Sequence, residues 1–146
     1  MAFDVEFRVS DSPVAQPRGR CGRNHNIYIP SSHAVHRWKE AVQLAARQAY
    51  QGKPLEGRPL AIWLMFVMPR PGRAPKREPQ RQWNLGSRLG KDWDNLAKST
   101  QDALEGILLV DGAAICWAAV QKLTAALGED PHAMIRIQEL HAPPRN

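Results

Sequence analysis

The feature that most constrains the fold of this 146-residue chain is an unbroken apolar run of nine residues, Leu60–Met68. Nine residues are too few to cross about 30 Å of hydrocarbon as a helix. A strand that is apolar at every position is typical of the centre of a sheet that is covered on both faces. We therefore expect residues 60–68 to form a central strand, with the rest of the chain supplying the layers that cover it.

The residues before this run predict one strand and one helix. Apolar and polar side chains alternate over residues 3–10, which predicts a half-buried strand. Residues 11–26 are rich in Pro, Gly and Arg and predict a loop, followed by a short extended piece at 26–29. Apolar residues at helical spacing predict a helix over about 32–50, with Ser31 or Ser32 as its N-cap.

The residues after the run predict a loop of about 20 residues, 69–90, a second helix over 94–105, an Asp111-Gly112 turn, and strands at 115–122 and 133–140. The tail, 141–146, should fray. Helices and strands alternate without a convincing linker, so we predict one α/β (α+β) domain over 1–146. Its core is expected to be a mixed β-sheet with two main helices.

Basic residues are concentrated in two loop-like segments, 11–26 and 69–91. These segments hold ten of the 20 Lys and Arg residues of a chain whose net charge is +6. Such clustering is typical of a surface that binds a polyanion, although a solvated basic loop has the same composition. The candidate DNA-binding residues are Arg18, Arg20, Arg23, Arg70, Arg73, Lys76, Arg77, Arg81, Arg88 and Lys91.

Acidic residues suggest a metal site at the start of the second helix. Asp92 and Asp94 are two residues apart, which in extended backbone points both carboxylates to one side. Asp111 could return beside them if the strands that contain it and Asp92 were neighbours. Clustered carboxylates are the ligands that Mg²⁺ or Mn²⁺ requires, and Lys98, one turn past Asp94, could neutralise charge on a phosphoryl group.

An ordinary structural explanation covers the same residues. Asp before a helix is a common N-cap, and acidic first turns suit the helix dipole. Lys98 and Asp102 could form a simple pair four residues apart. Spacing alone leaves both explanations open.

The positions of the tryptophans in the sequence predict different surroundings for them. Trp83 could stack on an unpaired base or anchor its loop to the core. Trp93 should pack beneath the carboxylates, whereas Trp38, Trp63 and Trp117 should lie in the core. The two cysteines have neither the spacing of metal ligands nor a base-like partner in the sequence. The five histidines also lack the spacing of metal ligands: His25, His33, His36, His132 and His141.

The segment DWDNLAKSTQDALEG resembles the DxDNxxKxxxDALxG signature of RusA-type Holliday-junction resolvases, small endonucleases often carried by phages and prophages. The similarity extends to QPRGR…IYIP near the N-terminus and to the last strands, and it covers most of residues 13–140. The resemblance implies a homodimeric RusA-like nuclease that uses Mg²⁺, or alternatively Mn²⁺, to cut four-way DNA in recombination and repair.

Carried over residue by residue, the resemblance implies that Asp92, Asp94 and Asp111 bind the metal and act in catalysis with Lys98. Asp102 matches a family aspartate for which we expect a structural or Lys98-orienting role. Gly112 stands where the family has a second consecutive aspartate, usually counted as a metal ligand. Either Asp111 supplies the third ligand, or the chain binds metal poorly and cleaves weakly.

We therefore predict a crossover junction endodeoxyribonuclease that hydrolyses phosphodiester bonds. The rival prediction is a catalytically degenerate module that binds branched DNA without cutting it. The N-terminal sequence has no apolar signal region and the cysteines are few, so we expect a cytoplasmic protein without a membrane partner.

Overall fold

The computed structural model describes residues 3–86, 92–143 and 145, which form an α+β domain as predicted. Within these ranges no helix has the length and apolar character needed to cross a membrane. The elements are β1 Asp4–Val9, β2 Arg20–Cys21, β3 Ile27–Tyr28, α1 Ala34–Ala49, β4 Leu60–Met68, β5 Gln82–Trp83, α2 Trp93–Leu104, β6 Ile115–Thr124 and β7 His132–Glu139.

The sheet is mixed and has five strands in the order β1-β7-β4-β6-β5. The apolar run forms β4, the central strand, with the bounds that the sequence predicts. Strand β4 is parallel to β6 and antiparallel to β7, while β1 and β5 close the two edges by antiparallel pairing. The predicted central position of residues 60–68 is therefore confirmed.

Both helices pack on one face of this sheet. Their buried residues, which include Trp38 and Val42 of α1 and Leu96 of α2, form one core with alternate residues of β4 such as Ile62 and Phe66. Burial of these side chains supplies the main free energy of folding, at about 25 cal/mol for each Å² removed from water. Among the described residues, the position of both helices on one side leaves the opposite, outer face of the sheet without a helix.

The outer face corrects the prediction that β4 is covered on both sides. Trp63 and Met65 in the middle of the strand are half-buried. Trp63 contacts Trp117 of β6 with ring centroids 4.9 Å apart, and the Arg136 guanidinium lies 5.3 Å from the Trp63 ring centre. Trp117, expected in the core, is 47% exposed because its position on β6 faces outward.

Three local predictions also differ from the structure. The predicted loop 11–26 contains strand β2, which pairs with β3 as a small separate hairpin. Helix α1 is capped by His33 rather than Ser31 or Ser32, because the His33 Nδ1 accepts a hydrogen bond from the N–H of Val35 at 3.0 Å. The predicted loop 69–90 includes the short edge strand β5.

Candidate functional site

Helix α2 carries the acidic motif and is held by one buried stripe. Leu96, Ser99, Thr100, Ala103 and Leu104 are buried against the core. At 3.6 residues per turn, the opposite side of the helix carries Asp94, Lys98 and Gln101, of which Asp94 and Lys98 are exposed. The burial pattern therefore turns Asp94 and Lys98, the candidate site residues of the motif, outward.

Asp92 and Asp94 lie at the N-terminus of α2, and both are exposed. Asp92 occupies the N-cap position with extended backbone, yet its side chain makes no capping hydrogen bond. Asp94 lies in the first turn, where its Oδ1 accepts a hydrogen bond from the N–H of Asn95 at 2.9 Å. The capping explanation does not account for the Asp92 carboxylate, which is left facing solvent at the positive end of the helix dipole.

Lys98 is oriented by the next turn of the same helix. Its Nζ donates a hydrogen bond to Asp102 Oδ1 at 2.9 Å. This hydrogen bond and the nearby negative charge raise the pKa of Lys98 above its usual value of 10.5. Lys98 therefore remains a cation at neutral pH, and Asp102 has the orienting contact that the sequence predicts.

The first basic segment begins beside the acidic motif. The Ser99 hydroxyl donates a hydrogen bond to the carbonyl of Val14 at 2.6 Å, and the N–H of Gln16 donates to the carbonyl of Asn95 at 2.9 Å. The exposed residues that follow in the chain are Arg18, Arg20 and Arg23. Two hydrogen bonds thus connect the base of this arginine segment to the first two turns of α2, which carry Asp94 and Lys98.

The second basic segment is organised by two of its own arginines. The Arg70 guanidinium donates hydrogen bonds to the carbonyls of Pro75, Glu78 and Ala125. Arg81 pairs with Glu129 through its Nε at 2.9 Å and its terminal nitrogen at 2.5 Å. Both residues, proposed from sequence to bind DNA, thus have structural roles that the sequence does not predict.

The remaining candidates of this segment divide into two groups. Arg73, Lys76 and Arg77 are exposed on the loop that Arg70 and Arg81 support. Arg88 and Lys91 lie outside the described residues. Trp83 is 69% exposed, so it does not anchor its loop in the core, and stacking on a base stays a prediction. Trp93 is 59% exposed, so the prediction that it packs beneath the carboxylates is wrong.

Asp111 lies before a 3₁₀ helix, Gly112–Ala114, instead of a tight Asp-Gly turn. Its Oδ1 accepts a hydrogen bond from the N–H of Ala113 at 2.7 Å, so one carboxylate oxygen caps this helix. Asp111 lines a surface depression of about 370 Å³ together with Glu56 and Arg58, and neither Asp92 nor Asp94 lines it.

Gly112 packs against the outward side of α2. A Cβ atom at this position would overlap Nε2 of Gln101 and would lie 3.0 Å from its Cδ. The glycine does not have the positive φ found at Gly57, Gly106 and Gly128, so backbone strain is not the reason for a glycine here. The space that a side chain at 112 would fill is taken by the Gln101 carboxamide. The sequence pattern did not single out Gln101.

The donor set fits Mg²⁺ in one specific way. Within the described ranges, no group of three or more His, Cys, Asp or Glu side chains could hold a metal ion, so Asp92, Asp94 and Asp111 do not form a ready three-carboxylate site. Mg²⁺, however, commonly binds through one or two protein carboxylates together with waters and substrate phosphates. Asp92 and Asp94 have the chemistry for that second arrangement, and the ligand roles of Asp92, Asp94 and Asp111 all stay predictions.

Comparison with known proteins agrees with the motif. The family model described as Endodeoxyribonuclease RusA matches residues 11–138, which is most of the chain. This match confirms the resemblance drawn from the DxDN segment. The comparison with curated proteins gives no match.

The contact between Arg81 and Glu129 in the second basic segment predicts a low pKa for the glutamate. The Arg81 guanidinium, helped by the N–H of Ala126, lowers the pKa of Glu129 from 4.5 to about 2. The glutamate should therefore stay ionised until the pH falls to about 2. Replacement Arg81→Gln should raise the pKa of Glu129 toward 4.5, measured by NMR titration of its carboxyl carbon. The control variant Arg58→Gln removes the ion-pair partner of Glu139 and should leave the pKa of Glu129 unchanged.

Proposed function

Because the chain belongs to the RusA endodeoxyribonuclease family, we propose that it hydrolyses phosphodiester bonds in four-way DNA junctions with Mg²⁺ as its cofactor. The observation that carries this proposal is the outward side of α2. Two exposed carboxylates, Asp92 and Asp94, lie at the start of this helix, and Asp94 is one turn before the lysine Lys98. A DNA substrate also agrees with the cytoplasmic location expected from the sequence.

The residues of the chain have separate roles in the proposed reaction. Asp92 and Asp94 would hold the cation, which when bound polarises the scissile phosphate and activates water. Protonated Lys98, held by Asp102, would face the negative charge that develops on the phosphate oxygens. The hydrogen bond to Asp102 raises the pKa of Lys98, and a lysine held in its protonated form suits charge stabilisation rather than proton abstraction.

The basic segments are proposed to hold the DNA backbone. The exposed set comprises Arg18, Arg20 and Arg23 on one segment and Arg73, Lys76 and Arg77 on the other. Arginine and lysine contacts to phosphates position the duplex without reading its sequence. These segments therefore suit recognition of a branched shape.

Asp92→Asn and Asp94→Asn should each lower the cleavage rate at least about a hundredfold while keeping or strengthening junction binding, because the carboxylates hold the cation but repel phosphates. Nicking of a labelled synthetic junction and gel-shift titration would measure the two effects. Asp130→Asn, which removes an exposed carboxylate from the turn before β7, should change neither. Equal losses of binding and cleavage in the α2 variants would instead indicate a structural role.

Neutralising Arg73, Lys76 and Arg77 together should flatten the salt dependence of junction binding. Each phosphate contact contributes about 0.9 to the log–log slope, so the triple variant should lose about two to three units. The matched control is neutralisation of Arg47 and Lys53, two exposed basic residues near the end of α1. An unchanged slope in the triple variant would show that the described part of the loop does not touch DNA.

We also propose that the partner of the chain is a second copy, bound through the outer face of the sheet. The centre of this face is apolar: Trp63, Met65 and Met134 surround a shallow depression of about 340 Å³ beside Ala119. Trp117 lies next to Trp63 at its edge. An apolar patch without a covering helix is typical of an interface between proteins.

The charge of the outer face favours a second copy over DNA. Asp4 and Glu6 balance Arg8 and Arg136 there, whereas the whole chain carries +6. A surface with balanced charges attracts a polyanion less than the basic segments do. Across a two-fold axis, however, its acidic residues can face the basic residues of a second copy. Two-fold symmetry would also place two active sites on a four-way junction and produce paired nicks.

Trp117→Arg should convert a dimer into a monomer, because it places two like charges in the apolar patch. Sedimentation velocity should give twice the chain mass for the unmodified protein and the single mass for this variant. The control Leu44→Arg changes another exposed apolar residue, 59% exposed on α1, and should remain dimeric. A protein that is monomeric at all concentrations, or a Trp117→Arg dimer, would contradict the interface.

One observation favours the rival function, a module that binds junctions without cutting them. The Gly112 position has no carboxylate, and its space is taken by the neutral Gln101. A binding module has no need of exposed carboxylates beside phosphates, so Asp92 and Asp94 favour the enzyme.

A further inference from the structure

The hairpin of strands β2 and β3 is separate from the sheet that forms the core. Arg20 pairs with Tyr28 and Cys21 pairs with Ile27, and the two strands form a sheet of their own. Because successive residues of a strand point to opposite faces, Arg20 and Tyr28 share one face while Cys21 and Ile27 share the other. All four residues are exposed, so neither face of the hairpin is buried against the rest of the domain.

The hairpin presents two large apolar side chains to solvent. Ile27 is 80% exposed and Tyr28 is 49% exposed. The Ile27 side chain covers Gly19, since a Cβ atom at that glycine would overlap Cγ2 of Ile27. A Cβ atom at Gly22 would lie 3.5 Å from the Tyr28 ring. A two-stranded hairpin is marginally stable on its own in water, so a partner that covers these side chains would stabilise it.

The position of the hairpin is fixed at its base and at its turn. The N–H of Gly22 donates a hydrogen bond to the carbonyl of Asn26 at 2.8 Å, which closes the turn. Just before β2, the N–H of Gln16 donates to the carbonyl of Asn95 in the first turn of α2 at 2.9 Å. The hairpin therefore begins beside the helix that carries the candidate site.

The charge of the hairpin favours DNA as the partner that covers it. Arg18, Arg20 and Arg23 are exposed, and the sequence contains no Asp or Glu from residue 12 to residue 39. Arginines bind phosphates, while an aromatic ring beside them can stack on the face of a base. Two copies of this segment would repel each other, which disfavours a second copy at this place.

We propose that the β2–β3 hairpin is a wedge that enters the branch point of a DNA junction, where Tyr28 stacks on a base and Ile27 separates the neighbouring base step. This inference rests on the proposed function, because it requires branched DNA as the ligand. Unstacking a base costs least where pairing is already interrupted, and apolar side chains can hold such a step open. The wedge would therefore favour branched over linear DNA, which phosphate contacts alone do not do.

The test is a synthetic four-way junction that carries the fluorescent base 2-aminopurine beside the branch point, studied in chelator so that no strand is cut. The fluorescence of 2-aminopurine increases when the base loses its stacking neighbours. The unmodified protein at saturation should increase the signal at the branch point and leave a 2-aminopurine in the middle of an arm unchanged. An unchanged signal at the branch point would overturn the wedge.

Tyr28→Ala should weaken junction binding about fivefold or more, because a stacked aromatic side chain contributes at least that much. Ile27→Ala should reduce the fluorescence increase at saturation. Both residues are exposed, so these variants should fold. Tyr28→Phe keeps the ring and should behave like the unmodified protein, as should Leu44→Ala, which truncates an exposed apolar residue on α1. Equal losses on linear duplex of the same sequence would contradict a wedge specific to the branch point.

The same variants distinguish the wedge from the proposed nuclease activity. A fluorescence increase that is lost in Tyr28→Ala would support the wedge even if the protein nicks no junction with Mg²⁺. Nicking by the unmodified protein, with the fluorescence increase retained in both Tyr28→Ala and Ile27→Ala, would support the nuclease and overturn the wedge. Conversion of a dimer into a monomer by either variant in sedimentation velocity would assign the hairpin to a second copy and would also overturn it.

Discussion

The rotation of helix α2 about its own axis is the constraint on which the rest of the site depends. Two buried hydroxyls set that rotation: Thr100 Oγ1 accepts a hydrogen bond from Trp38 Nε1 at 3.2 Å, and Ser99 donates to the carbonyl of Val14. A rotation of the helix would leave these buried polar groups unpaired, at about 1–3 kcal/mol for each group. With Ser99 and Thr100 inside, Asp94 and Lys98 can only lie outside.

Much of the fold could be predicted because the strongest signals are local. The apolar run of residues 60–68 and the alternation over residues 3–10 both depend on the period of the backbone, and both gave strands with nearly correct bounds. The error about the outer face has a different origin. Apolarity at every position of β4 indicates that both sides should be covered, but it does not say whether the cover comes from the same chain. Trp117 was expected in the core for the same reason, but it lies exposed on this outer face.

In the candidate site, too, some contacts follow from local sequence spacing and others depend on the tertiary fold. The helical offsets of Asp94, Lys98 and Asp102 follow from sequence spacing, and the contact of Lys98 with Asp102 is present as expected. The contact of Gln101 with Gly112 depends on how the chain returns from α2 to β6, which no spacing rule describes. The structural roles of Arg70 and Arg81 likewise depend on carbonyl and carboxylate groups about 50 residues distant along the chain, such as those of Ala125 and Glu129.

These contacts suggest how one small domain combines binding and chemistry. The arginine segment connected to α2 through Val14 and Gln16, together with the loop supported by Arg70, would bring phosphates to the helix N-terminus. In the proposed function the carboxylates would repel DNA unless a cation were present, so binding of DNA and binding of the cation would favour each other.

The most direct test of the central claim is strand-by-strand nicking of a synthetic four-way junction by the unmodified protein. Each of the four strands is labelled in turn, and Mg²⁺ is titrated from zero in the presence of chelator. The account predicts nicks placed symmetrically on two opposing strands, present only with Mg²⁺ and absent from linear duplex of the same sequence. Tight junction binding with no nick on any strand at any Mg²⁺ concentration would contradict it and identify the protein as a binding module.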